Sequence, residues 1–349
     1  RSHVLDALKN GKHVITANKA LLARHGIEIF EAATRAERDV IFEASVGGGM
    51  PIVRMLREGL AADHVETLHA IINGTSNYIL SAMSNDGASY GQALAHAQDL
   101  GYAEAEPSLD VGGGDAAQKL SILVSLAFGC HIPFDTISTQ GIDKIRAMDI
   151  RYARDFGYAI KPLALARAYE DGIEARVHPA LVSTQGMLAS VNEAYNAVRV
   201  HSRALGPLLL QGQGAGMLPT ASAVVSDAVE LGRNFLRGTS GRLPHLAFQE
   251  GDRPSIGMRD PMKSRHAWYL RIPVRDEPGV LGHITQSLGE VGVSVSRILQ
   301  DRPSESGPVQ VVLMTHEAAR AAVHTFVSSI QDEDWCLDSV QCVPIEEDI

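Results

Sequence analysis

The chain has 349 residues, of which 45% are hydrophobic and 21% charged, so it can form two or three domains with an ample core. Its formal net charge of −10, without any long run of like charge, argues against a surface for nucleic acid or acidic membranes. The three cysteines, Cys130, Cys336 and Cys342, lack metal-ligand spacing and indicate reduced thiols, and neither a signal-peptide pattern nor an apolar run of ~18 residues occurs. We therefore predict a soluble cytoplasmic protein.

The first 47 residues predict part of an α/β domain. A helix over 2–10 ends at a glycine and is followed by a short buried strand at 13–16. Two helices, near 19–24 and 27–37, lead to a second strand at 40–44, and this alternation is typical of a parallel sheet. Because the pattern enters such a domain partway through, we expect its opening strands to be missing.

Residues 48–205 predict a second, mixed α/β domain. The expected helices lie at 52–58, 76–83, 90–100, 116–128 and 143–156, and the expected strands at 65–72, 158–168, 174–178 and 195–200. Residues 206–236 contain a glycine turn, with Pro219 near the first position of a helix that runs through Leu231. Residues 237–264 are rich in Gly, Pro, Arg and Ser and predict a linker.

Residues 265–349 have a pattern of their own. Strands are expected at 268–274, 293–299, 310–314 and 338–343, with helices at 280–291 and 318–329, which is the βαββαβ order of a ferredoxin-like unit. The turn after the first strand contains Asp276, Pro278 and Gly279, so an acceptor and a helix N-terminus could face a small zwitterion. An amino-acid-binding unit and a structural appendage are both compatible with this pattern.

The segment from Gly101 to Lys119 concentrates charge around a turn and a glycine run. Glu104 and Asp110 precede the glycines, and Asp115 and Lys119 stand four apart on one face of the following helix. Pro107 and the three glycines predict a non-helical path before that helix. The segment indicates a polar substrate site with a proton carrier, and the alternative is an exposed ion pair beside an acidic loop.

Five segments, in order along the chain, resemble homoserine dehydrogenase: 11–20, 43–51, 73–78, 101–119 and 212–227. The C-terminal unit resembles an ACT domain. The resemblance implies an α/β fold class with a partial Rossmann-like nucleotide domain, a mixed α/β substrate and dimerisation domain, and a C-terminal ferredoxin-like ACT domain. The expected boundaries are 1–47 for the remnant of the dinucleotide-binding domain, 48–205 for the substrate-binding and dimerisation domain, 206–236 for the return to the nucleotide domain, 237–264 for the linker and 265–349 for the ACT-like regulatory domain.

The resemblance implies NAD(P)-dependent interconversion of L-homoserine and L-aspartate 4-semialdehyde, on the route to threonine and methionine. Lys119 matches the family's catalytic lysine, and Lys19 matches a second lysine between cofactor and substrate. Which of the two transfers the proton stays open at this point. Glu104 and Asp115 match the substrate carboxylates, which suit the ammonium of homoserine, with Asp110 as a supporting neighbour.

Two glycine-containing loops match binding segments of the family. Gly74 and Thr75 match a loop near the substrate, where backbone and hydroxyl groups could form hydrogen bonds to it. Gly214 and Gly216, with Lys19, match positions near the cofactor, which is NADP or NAD. Read in isolation, Asn73 and Gly74 are a tight turn and Lys19 is a solvated lysine of a first helical turn.

A third glycine-rich loop matches a monovalent cation site for Na+ or K+. The matching residues are Glu43, Val46, Gly48 and Met50, and the family's ligands there are largely backbone carbonyls, which explains the apolar side chains. Glu43 alone could be a charge at a strand end. The spacing of the glycines fits neither a G-x-G-x-x-G turn nor a Walker loop, so phosphate binding is not expected there.

The nucleotide half departs from the family pattern. No strand with a glycine-rich turn precedes the first helix, although such a turn normally carries the pyrophosphate. We therefore expect a fragment that binds cofactor poorly and is inactive or weak alone. The alternative is an amino-acid-binding regulatory protein that has lost this half. The ACT-like unit implies an effector such as L-threonine near Asp276 and Gly279, and a homodimer or homotetramer.

Overall fold

The structure is a computed structural model that describes residues 1–249, 256–301, 307–347 and 349. Its first elements are α1 (Ser2–Lys9), β1 (Val14–Ile15), α2 (Lys19–Ala36) and β2 (Val40–Ile41). Strands β1 and β2 pair in parallel, as the helix–strand alternation predicts. In the described part of the chain, none of the helices combines the length and apolar character that a bilayer crossing requires.

Helix α2 corrects one prediction, because the two helices expected near 19–24 and 27–37 are one continuous helix. Gly26, which lies between the two predicted helices, is buried and packs against the ring of Phe30, where a Cβ would lie 3.3 Å from the ring. The helix is capped by Asn18, whose side chain accepts a hydrogen bond from the Leu21 amide at 3.0 Å. This cap fixes Lys19 at the first position of the helix.

The middle of the chain forms a sheet with helices packed on it. Its helices are α3 (Ile52–Arg54), α4 (Gly74–Asp86), α5 (Tyr90–Asp99), α6 (Ser108–Val111), α7 (Gly114–Phe128), α8 (Ala147–Asp155) and α9 (Met217–Leu236). Its strands are β3 (Val65–Ile71), β4 (Ser138–Thr139), β5 (Tyr158–Tyr169), β6 (Gly172–Ser183), β7 (Tyr195–Ser202) and β8 (Gly206–Gln213). Strand β8 pairs with β7, so the segment predicted to return at residue 206 begins as the edge of this sheet.

Three further predictions in this region are corrected in detail. Helix α3 ends at Arg54 and continues as a wider π-type turn, so the regular helix expected over 52–58 is short. Helix α8 begins at Ala147 rather than 143, since the Arg146 amide is capped by the Asp149 carboxylate at 2.9 Å. The path before Asp115 contains the short helix α6, which ends where Gly113 adopts a positive φ of 88°.

The C-terminal unit contains β9 (Arg265–Val274), α10 (Val280–Glu290), β10 (Val295–Asp301), β11 (Val309–Thr315), β12 (Ala318–Ala319), α11 (Arg320–Ile330) and β13 (Gln341–Glu346). Four of its strands lie in the order β10-β11-β9-β13, and every neighbouring pair is antiparallel. Trp268, Leu270 and Ile272 of β9 face a core with Ile284 of α10 and Phe326 of α11. The two helices therefore cover one face of this sheet.

The C-terminal sheet continues directly into the middle sheet. Strand β13 pairs in parallel with β6, with Ile345 opposite Leu181, so the strand order runs β10-β11-β9-β13-β6-β5-β3-β7-β8. The alternate residues of β9 face the middle helices, where the guanidinium of Arg271 and the hydroxyl of Tyr269 donate to Asp149 at 2.6 and 2.9 Å. All three side chains are buried. Backbone pairing and buried ionic contacts therefore join the C-terminal unit to the middle sheet.

Candidate active site

Helix α7 carries the centre of the site. Its sequence is apolar on most sides and packs into the largest core, while Asp115 and Lys119 project one turn apart from the same face. The turn at Gly113, where a Cβ would lie 3.0 Å from a methyl of Val177, brings the helix N-terminus close against β6. Asp115 is 3% exposed and Lys119 is largely buried, so the exposed ion pair considered as the alternative is not what forms.

The carboxylate of Asp115 contacts three other polar side chains of this site. One carboxylate oxygen, Oδ1, lies 2.7 Å from the Nζ of Lys19, and the other, Oδ2, lies 2.7 Å from the Nζ of Lys119. Oδ2 also accepts a hydrogen bond from the Asn73 side-chain amide at 2.9 Å. Burial raises the pKa of Asp115, but the two ammonium groups outweigh burial and lower that pKa to about 2. Asp115 is therefore a buried carboxylate that stays ionised.

The two lysines reach Asp115 from different parts of the chain. Lys119 also donates to the carbonyl of Ile72 at the end of β3, at 2.6 Å, so two of its three N–H groups have partners in the protein. Lys19 stands at the N-terminus of α2, more than ninety residues away in sequence, and its side chain is 36% exposed. The structure thus brings together the two lysines that the sequence suggested for catalysis.

Asp110 and Asn73 complete the polar cluster. Asn73 caps α4 through its oxygen, which accepts the Ser76 amide at 2.8 Å, and its NH2 group donates to Asp110 at 2.7 Å. Burial raises the pKa of Asp110, and the neighbouring Asp115 raises it further against the lowering effect of the Asn73 hydrogen bond. The sequence interpretation treated Asn73 as a turn residue, although an Asn three residues before Ser76 is also an N-cap signal.

The remaining predicted substrate residues lie around this cluster. Thr75 donates through its hydroxyl to the carbonyl of Tyr102 at 2.5 Å, which ties the start of α4 to the loop that carries Glu104. Gly74 lies against the backbone of residue 194, where a Cβ would be 3.0 Å from the carbonyl oxygen. Glu104 itself is exposed, its carbonyl accepts from Gln98, and within the described ranges its carboxylate makes no ion pair.

Gly214 and Gly216 lie in the loop between β8 and α9. The carbonyl carbon of Gly214 would be 2.7 Å from a Cβ placed on Gly48, and a Cβ on Gly214 would overlap the side-chain amide of Asn196. Gly216 has a φ of 115° and precedes the first residue of α9. Two loops therefore meet with bare backbone on both sides, which only glycine permits at Gly48 and Gly214.

In the loop at 43–50, which the sequence suggested for a cation, the Glu43 side chain binds the backbone of the helix that follows. The Glu43 carboxylate accepts the amides of Val53 and Arg54 at 2.8 and 2.9 Å, so it caps α3 and each of its oxygens has a partner in the protein. Burial raises the pKa of Glu43 to about 7. Val46 and Met50 are buried. No group of three or more His, Cys, Asp or Glu in the described ranges is placed to hold a metal ion.

In the C-terminal unit, the turn between β9 and α10 holds the two residues suggested for an effector. Asp276 is exposed, and Gly279 precedes α10 with a φ of 97° and open space where its Cβ would be. The amide of His283 donates to the Gly279 carbonyl at 3.0 Å, so the first turn of α10 is regular. The turn is accessible in this chain.

The cluster has hydrogen-bonding positions that the protein itself leaves open. Asp115 keeps unused acceptor capacity on Oδ1 and Asp110 on Oδ2, since an ionised carboxylate offers about four lone-pair sites. Lys119 keeps one free N–H in a largely buried position. Acceptors for an ammonium and an amine for proton transfer thus lie within one cluster.

Comparison with known proteins identifies the family to which this chain is similar. Residues 51–229 match the family model for homoserine dehydrogenase, and residues 1–43 match the model for the NAD binding domain of homoserine dehydrogenase. The homoserine dehydrogenase of Pseudomonas aeruginosa is 45% identical over 99% of this chain and 80% of its own length. The homoserine dehydrogenase of Bacillus subtilis is 37% identical over 95% of this chain and 76% of its own length.

Solved structures are similar as well. The crystal structure of a homoserine dehydrogenase from Thiobacillus denitrificans superposes with a TM-score of 0.94, at 44% identity, over 99% of this chain and 79% of that one. A hyperthermophilic archaeal homoserine dehydrogenase in complex with NADPH superposes with a TM-score of 0.59, at 28% identity, over 67% of this chain and 68% of that one.

Proposed function

This chain belongs to the homoserine dehydrogenase family, whose reaction is the NAD(P)-dependent interconversion of L-homoserine and L-aspartate 4-semialdehyde, and we propose that Asp115, Lys119 and Lys19 form its active site. The chain is an oxidoreductase of amino-acid biosynthesis. The alternative of a regulatory protein without catalysis is not retained, because enzymes match almost the whole chain. The single observation that carries the assignment of residues is the Asp115 carboxylate held between two lysines.

Residues of the first 43 positions and the glycine loops fit a nicotinamide cofactor. Lys19, on the first turn of α2, reaches the substrate cluster from that half of the chain, and the backbones of Gly48 and Gly214 approach each other closely between the two loops. We assign cofactor contacts to Lys19, Gly214 and Gly216. When bound, NAD(P) supplies the hydride acceptor for the alcohol or the hydride donor for the aldehyde.

In this assignment the carboxylates orient the amino acid. The ammonium of homoserine is held by the free acceptor positions of Asp110 and Asp115, with Glu104 closing from the exposed loop. Thr75 and Gly74 define the wall of the site next to Tyr102. Holding the ammonium by several acceptors fixes the distance between Lys119 and the hydroxyl end of the substrate.

We assign the transfer of the substrate's hydroxyl proton to Lys119. Its ammonium is anchored by the Ile72 carbonyl and by Asp115, which leaves one N–H position directed away from both. In the neutral form this position accepts the proton of the substrate hydroxyl, and in the reverse reaction the ammonium returns it. Lys19, which is more exposed and has Asp115 as its ion-pair partner, holds Asp115 and the substrate in place.

The test compares the two lysines in steady-state assays of homoserine-dependent NAD(P)H formation. Replacing Lys119 by Ala removes a general acid–base group, and we expect kcat to fall by about 10²–10⁴-fold. Replacing Lys19 by Ala should raise KM and lower kcat less. Lys144→Ala, at an exposed position, is the matched control and should behave like the parent chain.

A Lys119→Ala variant that keeps kcat within about tenfold of the parent chain would contradict this assignment of general acid–base catalysis. If Lys19→Ala loses more than Lys119→Ala, the proton role passes to Lys19. Titration with L-homoserine by calorimetry separates binding from turnover in each variant, because a lysine that only transfers the proton leaves substrate binding nearly unchanged.

We also propose a monovalent cation, Na+ or K+, in the loop of Glu43, Val46, Gly48 and Met50. Two consecutive positive-φ glycines fold the loop tightly, and we assign the Glu43 carbonyl to the cation because the Glu43 carboxylate caps α3. The Glu43 and Met50 carbonyls each accept one backbone amide and keep a second lone pair. Activity measured in tetramethylammonium, sodium and potassium salts tests the site, and equal activity in all three would contradict it.

We assign regulation to the C-terminal unit as an ACT-like, ferredoxin-like domain. Its strand order and the accessible turn at Asp276 and Gly279 support an amino-acid effector such as L-threonine, bound between copies in a cytoplasmic homodimer or homotetramer. The joined sheet offers a path by which a bound effector could bias the middle domain. Calorimetry with a panel of amino acids and sedimentation at several protein concentrations test the two parts separately.

A further inference from the structure

Asn73 occupies a fixed position at the end of β3, where it starts α4. Its side chain is 5% exposed, and its oxygen accepts the Ser76 amide at 2.8 Å. A backbone N–H can only donate, so the amide oxygen must face α4 and the NH2 group must face the opposite way. The orientation of the amide therefore follows from the cap and not from an arbitrary assignment of nitrogen and oxygen.

The NH2 group of Asn73 lies between two carboxylates. It donates to Asp110 at 2.7 Å and to Asp115 at 2.9 Å, which uses both of its N–H bonds. These acids stand on different helices, α6 and α7, on either side of the Gly113 turn. Asp110 makes no ion pair with any described residue, so Asn73 is its direct polar link to Asp115.

We propose that Asn73 is a positioning residue that holds Asp110 and Asp115 as one fixed pair of acceptors for the ammonium of the substrate. Two carboxylates side by side repel each other, and a shared donor between them offsets that repulsion and sets their separation. The pair is thereby ready before the substrate arrives, and less ordering remains for the binding step. The inference rests on the proposed function, in which these acids bind the ammonium.

A purely structural role for Asn73 makes a different prediction. If the residue served only as the cap of α4, serine would replace it with little loss, because serine and asparagine are equivalent N-caps. Serine reaches the Ser76 amide, but its single hydroxyl cannot donate to two carboxylates at once. Asn73→Ser therefore separates the cap from the bridge between Asp110 and Asp115.

The first experiment measures the pH dependence of kcat/KM for L-homoserine in the parent chain and in Asn73→Ser. Loss of a hydrogen bond to a charged group should lower kcat/KM by about tenfold or more. Burial already raises the pKa of Asp110, which faces Asp115 and Lys119 on α7 and Lys19 on α2. Without the donor this pKa rises further, so the acid limb of the profile should move up by about one pH unit.

A second readout does not depend on turnover. Aspartate labelled with 13C at the side-chain carboxyl is incorporated into the full chain, and the Asp110 signal is identified by its loss in Asp110→Asn. The proposal expects the Asp110 titration to move to higher pH in Asn73→Ser. If the parent chain shows neither turnover nor binding of homoserine, the proposed function fails, while this titration still decides the role of Asn73.

Ser89→Ala is the matched control for losing a cap alone. Ser89 caps α5, which packs against α4, and its hydroxyl accepts the Gln92 amide at 3.4 Å. This variant should lose thermal stability and keep both kcat/KM and its pH profile. Asn73→Thr, which can also cap α4, replaces the serine variant if that variant does not fold.

The proposal is overturned if Asn73→Ser folds and keeps kcat/KM within about twofold with an unshifted acid limb, because the cap would then suffice. It is equally overturned if the Asp110 signal titrates alike in the parent chain and the variant. In the parent chain, the side-chain 15N and 1H shifts of Asn73 should follow the titration of the two acids. If these chemical shifts of Asn73 do not change as the acids titrate, the proposal is overturned, and this measurement needs no folded variant.

Discussion

Replacing Asp115 by Asn should change how the stability of this protein depends on pH. In the folded chain the pKa of Asp115 is about 2, against an ordinary value of 3.8, because Lys119 and Lys19 outweigh the cost of burial. The difference of about 1.8 units corresponds to about 2 kcal/mol of folding free energy at 1.36 kcal/mol per unit. Since Asp115 is almost fully buried, solvent screening does not reduce this figure much.

The sign follows from the lowered pKa. Above about pH 5 the carboxylate is ionised in both the folded and the unfolded chain, and the full contribution to stability is present. As the pH falls through the folded pKa, protonation removes it. Asp115→Asn lacks the charge at every pH, so the difference in unfolding free energy between the two proteins should shrink by about 2 kcal/mol between about pH 5 and pH 2.

Urea denaturation of both proteins at a series of pH values measures this difference directly. Other carboxylates titrate in the same range, among them Glu174, whose pKa is also lowered to about 2, but they cancel when the two curves are subtracted. Asp6→Asn, which removes an exposed carboxylate of α1, is the matched control for the substitution itself. Parallel curves for Asp115→Asn and the parent chain would refute the reasoning and with it the double ion pair.

Three further changes test other parts of the structure. Asp149→Ala leaves Arg271 buried without its ion-pair partner and should lower the unfolding free energy by about 3–5 kcal/mol. The double variant Asp149→Ala with Arg271→Met should recover part of this loss, and urea titrations measure both. Gly48→Ala adds a clash with the facing loop to left-handed strain and should lower the melting temperature more than Gly87→Ala, where the same strain meets open space. Burial lowers the pKa of Lys161 to about 8, so between about pH 8 and 10.5 the unfolded chain binds more protons than the folded chain. Over this range the unfolding free energy of the parent chain should rise by about 3 kcal/mol relative to that of Lys161→Met. A difference in unfolding free energy that stays constant with pH would contradict this.

The contact between Asp149 and β9 also bears on how the C-terminal unit is held to the rest of the chain. The ion pair between Arg271 and Asp149 is buried between β9 of the C-terminal unit and α8. On the other side of the same sheet junction, Arg176 of β6 donates to Glu346 of β13 at 2.7 Å. Buried ionic contacts tolerate little change in geometry, so the two units should move together and not as independent bodies.

Much of the fold could be predicted from periodicity alone. The helices over Tyr90–Asp99 and Gly114–Phe128 and the strands over Tyr158–Tyr169 and Val309–Thr315 lie close to their predicted positions, because their apolar spacing has one clear period. The errors fall where local signals compete. The two helices predicted near 19–24 and 27–37 are one helix, because Gly26 is buried against Phe30 within it. Pro107 and the glycines predicted a non-helical path where the short helix α6 forms.

The candidate site divides in the same way. The sequence alone identified Asp115 and Lys119, since their spacing on a helix is a local property, and resemblance added Lys19. The function of the bridge at Asn73 could not be predicted, because it depends on two acids that are about forty residues away in sequence but adjacent in space. The exposed position of Glu104 is likewise a result of tertiary structure.

By itself, the amino-acid sequence determined the chemistry of this protein: which elements form, which acids and lysines are present, and which family they match. Tertiary structure alone decided that one carboxylate, Asp115, lies between two lysines, and that β13 joins β6 so that two sheets become one. The physical reason is the distance along the chain over which each kind of interaction acts. Periodicity and capping act within a few residues, whereas ion pairs and sheet edges join segments whose separation along the chain leaves no pattern in the sequence.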